Sequence, residues 1–160
     1  YYGPADLPAD LFDAGEPLTV TSTGGTVPAL SLAVRGVAPM DHELGDTYQL
    51  QLPFDEDLEL HWTPASDPDA CVRLDIRAPT LGHGLTVTAF LSCISSDDGR
   101  ITIPEGLLAL FPESVCPLTL GSNCYYSELT RYTSQTVDAG AGDVSLQVRS
   151  AVYFYYDHSR

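Results

Sequence analysis

The sequence predicts an all-β protein, a two-sheet immunoglobulin-like sandwich with one short helical turn near residues 104–111. Apolar and polar residues alternate with period two along most of the chain, and no stretch keeps helical periodicity beyond about two turns. Turn-forming runs such as Gly24-Gly25 and Asp67-Pro68 divide the chain into about ten short strands. A chain of 160 residues with this punctuation fits one sandwich domain better than an α/β fold.

The predicted strands run through the whole chain. In order they are PLTVTS from residue 17, ALSLAVR from 29, TYQLQL from 47, DLELHWT from 57, CVRLDIR from 71, LTVTAFLS from 85, RITI from 100, PLTL from 117, YYSELTRYT from 125 and DVSLQVRSAVYFYY from 143. Within DLELHWT, alternation makes Trp62 the expected core anchor. In the last strand it points Phe154 inward, and Tyr153 and Tyr155 outward.

One helical turn interrupts this pattern at residues 104–111. Pro104 suits the first helical position, where the amide that proline lacks would have no partner. Leu107, Leu108 and Phe111 then recur at helical spacing, which predicts a short apolar face.

The chain is expected to form a single domain over residues 17–160, preceded by an extended arm over residues 1–16. The arm is rich in Pro, Ala and Asp and lacks the alternation seen later. A long terminal strand with a free edge, together with this arm, would allow pairing with a neighbouring subunit by strand addition.

The charge is strongly negative, with seven basic residues against 22 acidic ones and a formal net charge of -15. All the basic residues are arginines, and they are scattered along the chain. Binding of nucleic acid is therefore not expected, because phosphate recognition begins with clustered basic residues. No apolar run reaches the roughly 20 residues that span a bilayer, so no transmembrane segment is expected. Solubility is the simplest explanation of the acidity, and divalent cation binding is the alternative.

Calcium is the metal that clustered acidic loops would suit, because it prefers hard oxygen ligands. Asp97 and Asp98 are the nominated ligands, although neither belongs to a spaced calcium-loop motif. Together with Gly99 they also read as a hairpin turn, since Asp and Gly tolerate positive φ. No other cofactor is expected.

The chain has four cysteines, Cys71, Cys93, Cys116 and Cys124, without zinc-site spacing. Two disulfides are expected, and with them an oxidising compartment. Cys116 and Cys124 flank a short hairpin-like segment and are paired first, which leaves Cys71 with Cys93. Alternation argues against a bond between Cys71 and Cys93. It points Cys71 away from the core on its own strand, whereas Cys93 shares the apolar face of the next strand. A bond between them would need a bulge or another departure from strand geometry.

Residues 57–120 carry motifs of a known kind: DLELHWTP, then FLSCISSDDGRITIPEGLLALFP, then PLTL, with GGTVPALSLAVR upstream. In these motifs the chain resembles an immunoglobulin-like β-sandwich module of secreted proteins and lipoproteins from myxobacteria and related bacteria. The resemblance implies export to the cell surface or beyond, with lipid anchoring through residues outside this chain as one route. It carries over no catalytic residues. Cys71, the Cys116 to Cys124 loop and the tyrosine-rich C-terminus depart from the family pattern.

The candidate functional residues are tyrosines. No serine lies in a nucleophile elbow, and the histidines fall at positions that do not suggest a catalytic triad, so an enzyme is not expected. Tyr125, Tyr126, Tyr153 and Tyr155 are predicted to form an interaction surface, with ordinary cross-strand packing as the simpler alternative. The sequence thus favours a non-enzymatic extracellular or cell-surface structural or adhesive module that contacts a protein partner or other subunits. The alternative is calcium-assisted binding of carbohydrate or another ligand.

Overall fold

The computed structural model describes residues 12–25, 28–41, 49–79, 87–113, 126–140 and 142–158. The all-β class is confirmed, because these residues form nine strands and a single short helix. The elements are β1 (Pro17–Ser22), β2 (Leu30–Arg35), β3 (Gln49–Gln51), β4 (Leu58–His61), β5 (Cys71–Pro79), β6 (Val87–Ser96), β7 (Arg100–Ile103), α1 (Glu105–Leu108), β8 (Ser127–Asp138) and β9 (Asp143–Asp157). The predicted strand at PLTL lies outside the described residues.

The largest sheet has five strands in the order β3-β9-β8-β5-β6. Its pairings are antiparallel except that of β3 with β9, which is parallel. Strands β8 and β9 form a long hairpin that closes beyond the pair Asp138 and Asp143. Positive φ at Gly140 (78°) permits the tight turn there, because glycine has no Cβ to clash with the backbone.

Two smaller antiparallel ribbons complete the described structure. In one, β1 pairs with β2, and in the other β4 pairs with β7. Side chains of β8 hold the first ribbon in place: the Ala33 amide donates to Gln135 Oε1 at 2.6 Å, and the Thr133 hydroxyl donates to the Arg35 carbonyl at 2.6 Å. These bonds fix the edge of β2 across the five-stranded sheet.

The hydrophobic core lies between one face of the five-stranded sheet and the β4-β7 ribbon. The strictly alternating apolar residues of β5 provide its floor and are fully buried: Val72, Leu74, Ile76 and Ala78. The ribbon contributes Leu58, Leu60, Ile101 and Ile103 to the same cluster. Trp62 is buried beside them, so its predicted role as a core anchor is confirmed.

The helix α1 confirms the predicted helical turn but is shorter. Pro104 precedes the helix in an extended conformation, and the Glu105 amide at its start donates to Asp57 Oδ1 at 2.8 Å. Leu108 and Phe111 are buried, whereas Leu107 is 42% exposed. Only part of the predicted apolar face therefore reaches the core.

The structure corrects one prediction and adds detail to two others. Strand β9 pairs with β3 only through residues 155–157, so over residues 143–154 its side opposite β8 has no strand partner among the described residues. The turn at residues 97–99 does not close a hairpin, since β6 before it and β7 after it belong to different sheets. The end of the proposed arm is joined to the fold: the Gly15 amide donates to the Gly36 carbonyl at 2.7 Å, and the Gly36 amide to the Glu16 carbonyl at 2.8 Å. Residues 1–11 lie outside the described part.

Candidate interaction surface

The five-stranded sheet turns a second face away from the hydrophobic core, and we call it the outer face. The strand register aligns its residues in rows, since Arg77 lies opposite Phe90, Asp75 opposite Ser92, and Arg73 opposite Ile94. Across the next pairings, Asp75 lies opposite Glu128 and Glu128 opposite Tyr153. The outer face includes Arg73, Asp75, Arg77, Phe90, Ser92, Ile94, Tyr126, Glu128, Thr130, Tyr132, Arg149, Tyr153 and Tyr155.

Three tyrosines of this face lie together at the start of β8 and the end of β9, and we call them the tyrosine patch. The rings of Tyr126 and Tyr155 are tilted by 34° with centroids 4.7 Å apart. Tyr153 meets Tyr126 edge-on, with centroids 6.2 Å apart. Tyr126 is 53% exposed and Tyr153 46% exposed, so these rings present area to solvent. The pKa of Tyr155 is raised, first by its hydrogen bond with Tyr126.

The predicted tyrosine surface is thus brought together at three of its four positions. Tyr125 lies outside the described residues. The contact among the other three is cross-strand packing, as the simpler alternative held, but it leaves two of the rings about half exposed. The three rings therefore pack against one another while Tyr126 and Tyr153 stay accessible to a partner.

An arginine and carboxylate network occupies the centre of the outer face. Asp75 and Glu128 lie directly opposite each other on neighbouring strands, a placement that like charges alone would make unfavourable. Arg149 Nη1 lies 2.9 Å from Glu128 Oε1, and Arg73 Nε lies 3.3 Å from Asp75 Oδ2. Arg77 Nη2 approaches the same Asp75 oxygen at 3.8 Å. Three arginines against two carboxylates leave this network one positive charge in excess, on a chain of net charge -15.

Polar hydroxyls and aromatic rings fix this network further. The Ser92 hydroxyl donates to Asp75 Oδ1 at 2.7 Å, and the Thr130 hydroxyl donates to Glu128 Oε1. The guanidinium of Arg73 lies 5.9 Å from the centre of the Tyr132 ring, and that of Arg77 lies 5.8 Å from the centre of the Phe90 ring. Such cation–π contacts and hydrogen bonds order the long arginine side chains before any partner arrives.

Sequence reasoning missed this network because it treated the arginines as scattered. The signal was present in the segment RLDIR, which starts at Arg73. Period-two alternation in that segment places Arg73, Asp75 and Arg77 on one strand face, opposite Leu74 and Ile76. The partners Glu128 and Arg149 come from strands far along the chain, and only the sheet register brings them close.

The two nominated calcium ligands have different environments. The side chain of Asp97 is 2% exposed and forms an ion pair with Arg131, with Nε 2.8 Å from Oδ2. Trp62 Nε1 donates to Asp97 Oδ1 at 2.6 Å, and the Ala65 amide donates to Oδ2 at 2.9 Å. The carboxylate of Asp97 is therefore committed to the fold. Asp98 is exposed and accepts a bond from the Ser96 hydroxyl at 3.2 Å.

The cysteines of β5 and β6 are not bridged. Both Cys71 and Cys93 are free. The register pairs Cys71 with Ser96 and Cys93 with Leu74, which turns the two thiols to opposite sides of the sheet. The predicted Cys71 to Cys93 disulfide is corrected for this geometric reason, the conflict that alternation had indicated. The other predicted pair, Cys116 and Cys124, lies outside the described residues.

Cys93 provides a pH-dependent test of this arrangement. Burial raises the pKa of its thiol, and the negative charge of Asp75 raises it further. The folded state therefore favours the neutral thiol, and this contribution to stability is lost as pH rises through the raised pKa. We expect alkylation of Cys93 by iodoacetamide to accelerate at higher pH in the folded protein than in urea, because the thiolate is the reactive form.

The measurement is mass spectrometry of the peptide containing residue 93, labelled across a pH series without reduction. The urea-unfolded protein is the control for intrinsic thiol reactivity. Identical pH profiles in the folded and unfolded states, or a peptide pair linked from Cys71 to Cys93, would contradict a free, partly buried Cys93 thiol.

Other features of the described residues do not converge on one centre. Two open clefts of about 590 and 340 Å³ adjoin each other and share Arg35 and Asp69 in their linings. His158 stacks on Phe54 with ring centroids 4.0 Å apart, and His61 lies exposed with Nε2 3.6 Å from Glu59 Oε2. Within the described ranges, no three His, Cys, Asp or Glu residues are grouped so as to hold a metal ion. Nor does any helix in the described ranges have the length and apolar character to span a membrane.

Comparisons of the whole chain with models of protein families, with curated proteins and with solved structures found no match. The resemblance noted for residues 57–120 therefore stays a prediction. The outer face is the candidate interaction surface because it carries the tyrosine patch and the arginine and carboxylate network.

Proposed function

We propose that this chain is a non-enzymatic extracellular or cell-surface module that binds a protein partner through the outer face of its five-stranded sheet. The observation that carries the proposal is the tyrosine patch beside the arginine and carboxylate network, on a face where Phe90, Ile94, Tyr126 and Tyr153 are exposed. An immunoglobulin-like arrangement of the sheets and secretion, both expected from the sequence, belong to the same proposal.

The composition of the outer face is that of a binding surface. Tyrosine, phenylalanine and arginine are enriched at protein interfaces, and tyrosine and arginine contribute many of the residues that dominate binding energy. Tyr126, Tyr153 and Phe90 are each about half exposed, and Ile94 is 64% exposed. These side chains project from one antiparallel sheet, a rigid scaffold that limits the conformational entropy lost on binding.

Electrostatics also favours this face. Most of the surface of a chain with net charge -15 repels acidic molecules, whereas the network of Arg73, Arg77 and Arg149 exceeds its two carboxylates by one charge. An acidic or neutral protein would therefore meet less repulsion here, and electrostatic complementarity mainly determines specificity and association rate.

Calcium-assisted carbohydrate binding retains the tyrosines but finds less support. Both oxygens of Asp97 accept hydrogen bonds from the protein itself. Asp98 accepts one bond from the Ser96 hydroxyl and another from the Arg100 amide at 3.4 Å. Protein binding therefore remains the single proposed function.

The proposal predicts that removing two tyrosine side chains weakens binding strongly without unfolding the protein. We expect the double variant Tyr153→Ala, Tyr155→Ala to bind the surface of the producing cells at least about tenfold more weakly, because tyrosine anchors dominate many interfaces. Labelled protein is titrated onto intact cells, before and after protease treatment of the cell surface, and measured by flow cytometry. The control is Thr136→Ala, an exposed residue of the same sheet face away from the patch.

Equal binding by the wild type and the double variant would refute the proposal. Binding that survives protease treatment, and that a glycan array reproduces, would instead support the carbohydrate alternative.

A further inference from the structure

Within the described part of the chain, one edge of strand β6 has no strand paired to it. Strand β6 is the outermost strand of the five-stranded sheet, and among the described residues only β5 pairs with it. It is ten residues long, and the side chains of Phe90 and Ile94 remain 55% and 64% exposed beside the edge. An unpaired edge of this kind presents a row of backbone amides and carbonyls that another strand can pair with.

Along a strand, backbone amides and carbonyls alternate between the two neighbouring sides. The hydrogen bonds of β5 therefore show which residues of β6 direct their backbone groups away from β5, toward the edge of the sheet. The Arg77 amide donates to the hydroxyl oxygen Oγ of Ser127 at the start of β8, so the odd-numbered residues of β5 direct their backbone groups toward β8. The Asp97 amide, just beyond β6, donates to the Ala70 carbonyl, just before β5. Even-numbered residues of β5 therefore bond to odd-numbered residues of β6. The backbone groups of Phe90, Ser92 and Ile94 are left facing the free edge.

The composition of this edge is that of an unprotected strand. Natural proteins commonly block edge strands with lysine, proline, bulges or inward-pointing charges. The sequence VTAFLSCISS of β6 contains no charged residue and no proline, and the register irregularity in its pairing with β5, opposite Ala78 and Pro79, lies at its first residues and away from Ser92. In a chain with net charge -15, this uncharged edge, flanked by Arg73 and Arg77 of β5, is where two copies would meet with little repulsion.

We propose that two copies of this chain form a symmetric dimer by antiparallel pairing of their β6 strands. The inference goes beyond the proposed function: it uses the β6 edge of the sheet, where Phe90 and Ile94 of the outer face lie, and not the tyrosine patch. A two-fold axis at Ser92 matches the outward alternation of the backbone groups and pairs residues 88–96 of the two strands. Ser92 then lies opposite Ser92 of the partner subunit, and Phe90 lies opposite Ile94 of the partner subunit. The exposed Phe90 and Ile94 side chains become apolar cross-strand pairs, which stabilise antiparallel sheets.

The occupant is a second copy because the edge is self-complementary. An isologous interface requires each contact to occur twice about the axis, and the spacing of Phe90 and Ile94 around Ser92 fulfils this condition. Pairing joins the two five-stranded sheets into one continuous sheet. The two outer faces then lie on the same side, so the dimer presents two tyrosine patches and gains avidity for a surface with repeated partners.

The test is the molar mass of the full chain, measured by light scattering after size exclusion over a wide concentration series. The wild type is expected to approach twice the monomer mass of 17.2 kDa. Ser92→Lys places two positive charges opposite each other on the axis and is expected to raise the dimer dissociation constant at least about tenfold. Within one chain the new lysine faces Asp75, so the monomer should remain folded, which circular dichroism checks. Ser134→Lys, an exposed serine of β8, is the matched control.

A second variant tests separately whether Ser92 lies opposite its copy in the partner subunit. Ser92→Cys is expected to form a disulfide with its copy in the partner subunit on mild oxidation, and a non-reduced digest should contain that peptide linked to itself. A wild type that stays monomeric throughout the series would overturn the proposal. The proposal would also be overturned if the wild type dimerises but Ser92→Lys does not weaken the dimer and Ser92→Cys forms no cross-link. The tyrosine variants leave the molar mass unchanged, so the dimer and the proposed function fail separately.

Discussion

Replacing Asp97 with asparagine is expected to lower the free energy of unfolding by about 3 kcal/mol or more, the usual effect of breaking a buried ion pair. For a protein of this size that corresponds to a fall of roughly 10 °C in melting temperature. The reason is the environment of the Asp97 and Arg131 side chains, which are 2% and 1% exposed. A charge left unpaired at such a site has no access to water.

The described partners of the Asp97 carboxylate are all hydrogen-bond donors. These donors are the Trp62 indole, the Ala65 amide and two nitrogens of Arg131. Asparagine has nearly the same shape but presents its own amide donor to one of them, and it removes the negative charge that balances Arg131. Arg131 also donates to the carbonyls of Pro39 and Thr63, so loss of its anchor would loosen two loops at once.

The measurement is urea unfolding followed by circular dichroism, with a shifted midpoint at unchanged slope as the expected result. Asp98→Asn is the matched control, because the neighbouring Asp98 is exposed. Its effect should stay below about 1 kcal/mol, as for most exposed positions. Equal effects of the two substitutions would show that the Asp97 ion pair does not have this role.

The second large effect is expected at Phe154, which is completely buried in β9. Phe154→Ala should lower the free energy of unfolding by about 3–5 kcal/mol, because it removes a large apolar side chain and leaves a cavity. The same substitution at Tyr153, one residue earlier and 46% exposed, should cost much less. The contrast tests the strand register, since a shift by one residue would exchange the two faces.

Thermal and urea unfolding of Phe154→Ala, Tyr153→Ala and the wild type measure this contrast. If Tyr153→Ala proves as destabilising as Phe154→Ala, the outer face is covered and the proposed binding surface is wrong. If only Phe154→Ala destabilises the protein, the tyrosine variants are folded and their binding data can be interpreted.

Much of the fold could be predicted from local patterns. The starts of β1, β5, β7 and β9 agree with the predicted segments, since alternation and turn residues act over a few positions. The tyrosine patch was predicted in part for the same reason, because alternation alone turns Tyr153 outward. The arginine and carboxylate network was not predicted, because Glu128 reaches Asp75 only through the pairing of β5 with β8.

The sequence by itself determined the side of each strand that faces the core, since successive side chains point to opposite faces whatever the partner strand is. That rule accounts for the buried Phe154, the outward Tyr153 and the opposite orientations of Cys71 and Cys93. Only the tertiary structure decided which strands are neighbours. It placed β9 between β3 and β8 in the strand order and β6 at the edge of the sheet, and it brought Asp97 to Arg131, 34 residues later in the chain. Strand order depends on contacts between distant segments, and these are chosen by packing of the whole core rather than by local sequence.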